Sequence, residues 1–140
     1  MWLINTTTLS LELYYGDEIP AYAILSHTWG DGEVSFQEFT HASETKSDRI
    51  TTKAGYRKIV ATCELALKAG YRYAWVDTCC IDKTSSAELA EAINSMFRWY
   101  RDVAKCYVFL SDVPRPTVDS EDRPYQLPWE SALRASRWFT

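Results

Sequence analysis

The chain has 140 residues, of which 46% are hydrophobic and 14% aromatic, so it can form one domain (1–140) around a buried core. The net charge is −4 and no basic tract is present, which excludes the electrostatic footprint of a nucleic-acid-binding protein. No run approaches the roughly 20 apolar residues of a membrane span, and the first residues lack the pattern of a secretory signal. We therefore expect a cytoplasmic protein with no membrane span.

Residues 2–15 alternate loosely between apolar and polar, which favours a small hairpin or strand at the margin of a sheet. Three further apolar runs, at 22–25, 73–76 and 106–110, are too short for helices and rich in residues that favour strands. We interpret all three as buried strands.

Helical patterns separate these strands. Apolar residues at helical spacing predict a helix at about 54–69, and the capping-box spacing of Ser85 and Glu88 predicts the start of another that ends near Asp102. The apolar stripe of this second helix is predicted to contain Leu89, Ile93, Met96, Phe97 and Tyr100.

The alternation of strands and helices predicts an α/β fold with an open parallel sheet, in the strand order 73–76, 22–25, 106–110. Residues 40–52 are polar and are expected to form a solvated loop, and residues 113–128 a proline-rich loop.

Polar residues follow each of the three strands, where open α/β sheets place their ligand sites. Taken alone, each of these residue types often only caps or packs against a neighbouring element. The combination favours a ligand-binding rim, and its candidate residues are Ser26, His27, Trp29, Asp77, Cys79, Asp82 and Asp112.

Four cysteines are present without CxxC spacing, and the chain has only two histidines, so we expect no metal site. Cys63 and Cys106 are interpreted as core residues because they fall in apolar segments.

Four segments carry a resemblance to a known family: YAILSHTWG at 22–30, WVDTCCIDK at 75–83, EAINSMFRWY at 91–100 and CYVFLSD at 106–112. Together they resemble the fungal heterokaryon-incompatibility (HET) domain, in the family's order and over nearly the whole chain. The resemblance implies a role in fungal non-self recognition and programmed cell death after fusion of unlike strains.

The HET domain is in turn similar to TIR domains, which have a flavodoxin-like fold and some of which cleave NAD at its glycosidic bond with a glutamate. NAD is thus a possible substrate, although no cofactor is firmly implied.

The segment SRWFT at 136–140 resembles the start of the last family motif. The resemblance places the expected catalytic glutamate beyond Thr140 and implies that the domain and its sheet are truncated at the C-terminus. We therefore expect this fragment to be inactive, and to be poorly soluble or oligomeric.

Three alternatives to an NAD-cleaving enzyme stay open. The first is a non-catalytic signalling module that acts by self-association or through protein partners. The second is a thiol hydrolase, in which Cys79 or Cys80 is the nucleophile and His27 the base. The third is a phospho-receiver domain with Asp77 as acceptor, which is disfavoured because the first predicted strand ends in Ser26 and His27 and not in an acidic pair.

Overall fold

A computed structural model of the protein describes residues 1–113 and 128–139. This part of the chain forms five strands and four α-helices, joined by loops and short 3-10 turns. In chain order they are β1 (Trp2–Asn5), β2 (Leu11–Leu13), β3 (Ala23–His27), α1 (Phe36–Thr45), α2 (Ala54–Lys68), β4 (Tyr73–Trp75), α3 (Ser86–Arg101), β5 (Lys105–Phe109) and α4 (Pro128–Arg134). The proline-rich loop predicted at 113–128 lies, apart from its two end residues, outside the described residues.

The five strands form one open sheet in the order β2-β1-β4-β3-β5. β3 pairs in parallel with β4 on one side and with β5 on the other, so the predicted α/β fold and order of these three strands are confirmed. The predicted marginal hairpin is also present, as β1 and β2. Because β1 runs antiparallel to both β2 and β4, the sheet is mixed and not wholly parallel.

The helices α2 and α3 cover opposite faces of the sheet. Trp75 and Cys106 align with the same residue of β3, so their side chains share one face, and there Trp75 packs edge-on against Trp99 of α3, with ring centroids 5.5 Å apart. Tyr107 points to the other face, where its hydroxyl donates to a backbone carbonyl of α2. This two-sided cover is the arrangement that parallel strands with helical crossovers require.

The core lies between the sheet and these helices. Its fully buried side chains come from strands and helices alike, and include Leu3, Ile4, Ile24, Val34, Phe39, Ile59, Cys63, Trp75 and Val76. No helix in residues 1–113 and 128–139 is long and apolar enough to cross a membrane.

The prediction of a solvated loop at 40–52 is wrong. Ser35 accepts a hydrogen bond from the backbone N–H of Glu38, and the Glu38 side chain bonds back to Ser35, which forms a capping box that starts α1. The helix then continues to Thr45, and Ile50 is buried beyond it. Only one side of α1 packs against the rest of the protein, so most of its residues are polar, and this composition led to the wrong prediction of a loop.

The exposure of α3 and β5 also differs from the prediction. Of the predicted apolar stripe of α3, Ile93 and Phe97 point into solvent, with Phe97 80% exposed. The other three residues, Leu89, Met96 and Tyr100, pack against the core as predicted. The most buried positions of the helix are Ala92, Ser95 and Trp99. Among the described strands β5 lies at the edge of the sheet, and most of its residues, Cys106 included, are exposed. The expectations of a buried strand and of a core position for Cys106 are therefore wrong, whereas Cys63 is in the core.

Candidate functional site

The site begins where β3 and β4 end. His27 is the last residue of β3, and Asp77 follows β4 by two residues. Because these neighbouring strands are parallel, their carboxyl ends lie at the same edge of the sheet. His27 Nε2 lies 2.9 Å from Asp77 Oδ1, so two residues separated by 50 positions form a hydrogen bond.

Trp29 makes a second hydrogen bond to the same carboxylate. Its indole Nε1 donates to Asp77 Oδ2 over 2.8 Å, while 55% of the residue is exposed to solvent. The ammonium of Lys83 lies 5.0 Å from the centroid of the Trp29 ring and donates to the backbone carbonyl of Asp77 over 2.7 Å. The indole is thus held at the surface by a hydrogen bond and a cation–π contact.

Two further charged residues lie behind His27. Lys58 of α2 has its Nζ 2.9 Å from His27 Nδ1 and forms an ion pair with Glu33. Glu33 also accepts a hydrogen bond from the backbone N–H of Gly30 over 2.9 Å. The side chains of His27 and Lys58 are only 1% and 9% exposed, so this is a largely buried chain of polar groups. We refer to His27, Trp29, Glu33, Lys58 and Asp77 as the rim cluster.

A close approach between a loop and a helix brings Glu33 to Lys58. Gly32 has a positive φ of 75°, which favours glycine, and its carbonyl accepts a hydrogen bond of 3.0 Å from the backbone N–H of Gly55 in the first turn of α2. Gly55 itself has no room for a side chain, because a Cβ there would lie 2.7 Å from the Glu33 Cα. Two glycines therefore allow the contact that closes the rim cluster.

Asp77 is a carboxylate at neutral pH. Burial raises its pKa, but the hydrogen bonds from His27 and Trp29 lower it, and the net result is a pKa below the ordinary value. A carboxylate offers about four acceptor positions, and the side chains of His27 and Trp29 fill two of them. Asp77 can thus still accept a hydrogen bond from a ligand.

Asp112 and Ser26 lie at the same end of the sheet but outside the rim cluster. Asp112 accepts hydrogen bonds of 2.8 Å from the Ser136 hydroxyl and from the Arg137 backbone N–H, and the Arg137 guanidinium donates to the Trp29 carbonyl over 3.3 Å. Asp112 therefore anchors the C-terminal segment beside Trp29. Ser26 precedes His27, so its side chain points to the opposite face of the sheet, the face that α3 covers. The hydroxyl of Tyr100 in α3 donates to the backbone carbonyl of the preceding residue, Leu25, over 3.2 Å.

Cys79 and Asp82 do not join this arrangement. Cys79 is wholly buried, and burial raises the pKa of its thiol well above the ordinary value, so it is a poor nucleophile. The two ring nitrogens of His27 already contact Lys58 and Asp77, which argues against the thiol-hydrolase hypothesis. Asp82 is a half-buried loop residue that accepts hydrogen bonds from Thr84 and Gln37.

Glu33 and Lys58 were not among the candidate site residues predicted from the sequence. The signal that could have identified them is the pair of glycines at positions 32 and 55, which allow a loop and a helix to approach closely. In residues 1–113 and 128–139, no group of three or more His, Cys, Asp or Glu side chains is arranged to hold a metal ion.

Residues 22–138 match the model of the family described as heterokaryon incompatibility protein (HET). The chain is also 50% identical over 125 residues to the vegetative incompatibility protein HET-E-1 of Podospora anserina, a match that covers 88% of this chain but 9% of that protein. No solved structure matches. Because the family match covers most of the residues, including the whole rim cluster, the chain belongs to the heterokaryon incompatibility (HET) family.

Proposed function

We propose that this chain is a heterokaryon-incompatibility module that takes part in fungal non-self recognition and starts programmed cell death when unlike strains fuse. Membership of the HET family and the similarity to HET-E-1 support this role. The chain spans only 9% of the length of HET-E-1, so the activity of a whole protein is part of the proposal. The observation that carries the proposal is the rim cluster, in which Asp77 holds both His27 and Trp29 at the sheet edge.

The chemistry that we propose for the rim cluster is cleavage of NAD at its glycosidic bond, as in some TIR domains. Such a bond breaks through a transition state with positive character, which a preorganised carboxylate stabilises. Asp77 is suited to this task because its pKa is lowered and its position is fixed by two donors. The exposed indole of Trp29 offers a surface on which a planar ring can stack.

We propose that the catalytic glutamate lies in the last motif of the HET family, the beginning of which residues 136–139 resemble. NAD consumption is therefore measured with this chain and with a form extended through that motif. We expect turnover only in the extended form, and a large loss of turnover when it carries Asp77→Asn, which keeps the shape but removes the charge. The matched control is Asp102→Asn, since the ion pair of Asp102 with Arg101 is exposed and contributes little.

The same two variants are then tested in a fungus, by scoring cell death after fusion with an incompatible strain. Loss of death with Asp77→Asn but not with Asp102→Asn would support the rim cluster as the functional site. A folded Asp77→Asn protein that kills normally would refute it. Cell death without NAD loss would exclude the enzyme and favour the alternative below.

The alternative is a non-catalytic module that signals by self-association, and the position of β5 favours it. Among the described strands β5 has a partner on one side only, and it exposes Val108 and Phe109. An unpaired edge strand with exposed apolar residues is a template for pairing with a second chain. The occupant that we propose for this edge is β5 of a second copy, running antiparallel about a two-fold axis at Tyr107.

This pairing has a direct test, because it places Cys106 of one copy opposite Val108 of the other. Cys106 is the exposed cysteine, whereas the other three are buried. Under mild oxidation, Val108→Cys should give a disulfide-linked dimer, and the double variant Cys106→Ser, Val108→Cys should not. A Val108→Cys protein that stays monomeric under these conditions would rule out this edge-to-edge dimer.

A further inference from the structure

The ring of His27 is held from both sides by groups of opposite charge. Nε2 faces the carboxylate of Asp77 at 2.9 Å, and Nδ1 faces the ammonium of Lys58 at 2.9 Å. A lysine ammonium has three donors and no acceptor, so Nδ1 must be the acceptor in its contact with Lys58. The proton of a neutral imidazole must then sit on Nε2, from which it is donated to Asp77.

Lys58 is kept charged by its own partner. Its side chain is only 9% exposed, and burial of an ammonium is costly unless a negative group lies close by. Glu33 supplies that group, because its carboxylate contacts Lys58 directly and is itself fixed by the backbone N–H of Gly30. The Nδ1 atom of His27 is also within 4.0 Å of Glu33, so without Lys58 a second ring proton would find an acceptor there.

We propose that Lys58 is a positioning residue that fixes His27 as the neutral Nε2–H tautomer and so keeps the charge of Asp77 uncompensated by the ring. The ammonium of Lys83 also belongs in the charge balance, because it donates to the backbone carbonyl of Asp77. The charges of Glu33, Lys58, Asp77 and Lys83 sum to zero with a neutral His27 and to +1 with an imidazolium. A neutral ring therefore makes the rim cluster more favourable than an imidazolium would to a ligand whose reacting group carries or develops positive charge, which deepens the proposed function and rests on it for the identity of the ligand.

A purely structural role for Lys58 makes a different prediction. If the lysine only packed α2 against the loop, its removal would lower stability without changing which ring nitrogen of His27 carries the proton. The state of the ring separates the two possibilities, and it is measured without ligand or turnover. Failure of this inference is thus distinguishable from failure of the proposed enzyme activity.

The experiment is a long-range proton–nitrogen correlation spectrum of the 15N-labelled chain near neutral pH. The chain has only two histidines, so His41→Gln, a change in α1, assigns the His27 signals. We expect a protonated Nε2 and an unprotonated Nδ1 in the wild type. Lys58→Met should shift the Nδ1 signal towards the protonated position, whereas Lys58→Arg, which keeps a charged donor, should retain the wild-type pattern.

Lys68→Met, in the last turn of the same helix, is the matched control and should leave the ring signals unchanged. A wild-type spectrum with Nδ1 protonated would overturn the proposal directly, whatever the fate of the variants. The proposal would also fail if folded Lys58→Met kept the wild-type ring pattern. If Lys58→Met does not fold, the wild-type and Lys58→Arg spectra still decide the question, since a proton on Nδ1 in either would contradict the assigned role.

Discussion

Replacing Gly55 by alanine tests the close approach on which the rim cluster depends. A Cβ at this position would lie 2.7 Å from the Cα of Glu33 and 2.8 Å from the carbonyl oxygen of Gly32. Both are backbone atoms, so no rotation of a side chain can relieve the contact. The helix α2 and the loop at 32–33 must instead move apart, which stretches the 3.0 Å hydrogen bond from Gly55 to Gly32.

The expected change in unfolding free energy is the sum of one stabilising and two destabilising contributions. Alanine favours a helix over glycine by about 1 kcal/mol. Overpacking costs about 1–3 kcal/mol, and weakening one backbone hydrogen bond costs about 1 kcal/mol. The net loss of unfolding free energy is therefore about 1–3 kcal/mol, which for a chain of this size lowers the melting temperature by about 3–9 °C.

Thermal and urea unfolding of Gly55→Ala measure this loss. The control is Ala61→Gly at an exposed position of the same helix, which should cost about 1 kcal/mol through helix propensity alone. The two substitutions are opposite in direction, yet both should destabilise the protein. An alanine variant that melts at or above the wild-type temperature would refute the close approach of α2 and the loop.

Three other predictions follow from buried groups. Trp75→Ala should lower the unfolding free energy by about 3–5 kcal/mol in urea titrations, because Trp75 is fully buried. Asp77→Asn should lower the unfolding free energy much less, and equal losses in the two variants would make Asp77 a structural residue. Since the pKa of Asp77 is lowered from 3.8, its contribution to stability should be present above pH 4 and be lost as the pH falls through the lowered value, and Asp77→Asn should flatten that part of an acid titration. A thiol reagent should label Cys106 rapidly in the folded protein and the other three cysteines only after unfolding, and rapid labelling of more than one thiol would contradict their burial.

The strand order and the meeting of His27 with Asp77 were predictable from the sequence. Short apolar runs separated by helical patterns imply parallel strands, and parallel strands bring their carboxyl ends to one edge. The result is a hydrogen bond of 2.9 Å between residues that the sequence analysis had placed together on topology alone.

Glu33 and Lys58 were not predictable in the same way. Lysine and glutamate are mostly exposed, so a charged residue on a helix is ordinarily assigned to solvent. Their burial results from a contact between a loop and a helix that no periodic pattern encodes. The exposure of Ile93 and Phe97 was missed for a related reason, since the true buried face of α3 includes Ala92 and Ser95, which contribute little hydrophobic signal.

The amino-terminal hairpin has a consequence for the order of events during synthesis. β1 pairs with β2 locally but finds its other partner in β4, which begins roughly 60 residues after β2 ends. At about 5–20 residues per second, a ribosome needs roughly 3–12 s to make that stretch. Leu3 and Ile4, which are fully buried in the folded protein, thus stay without that cover for seconds after they are made. During that interval they expose apolar surface of the kind that favours aggregation and chaperone binding, and faster translation between β2 and β4 would shorten the exposure.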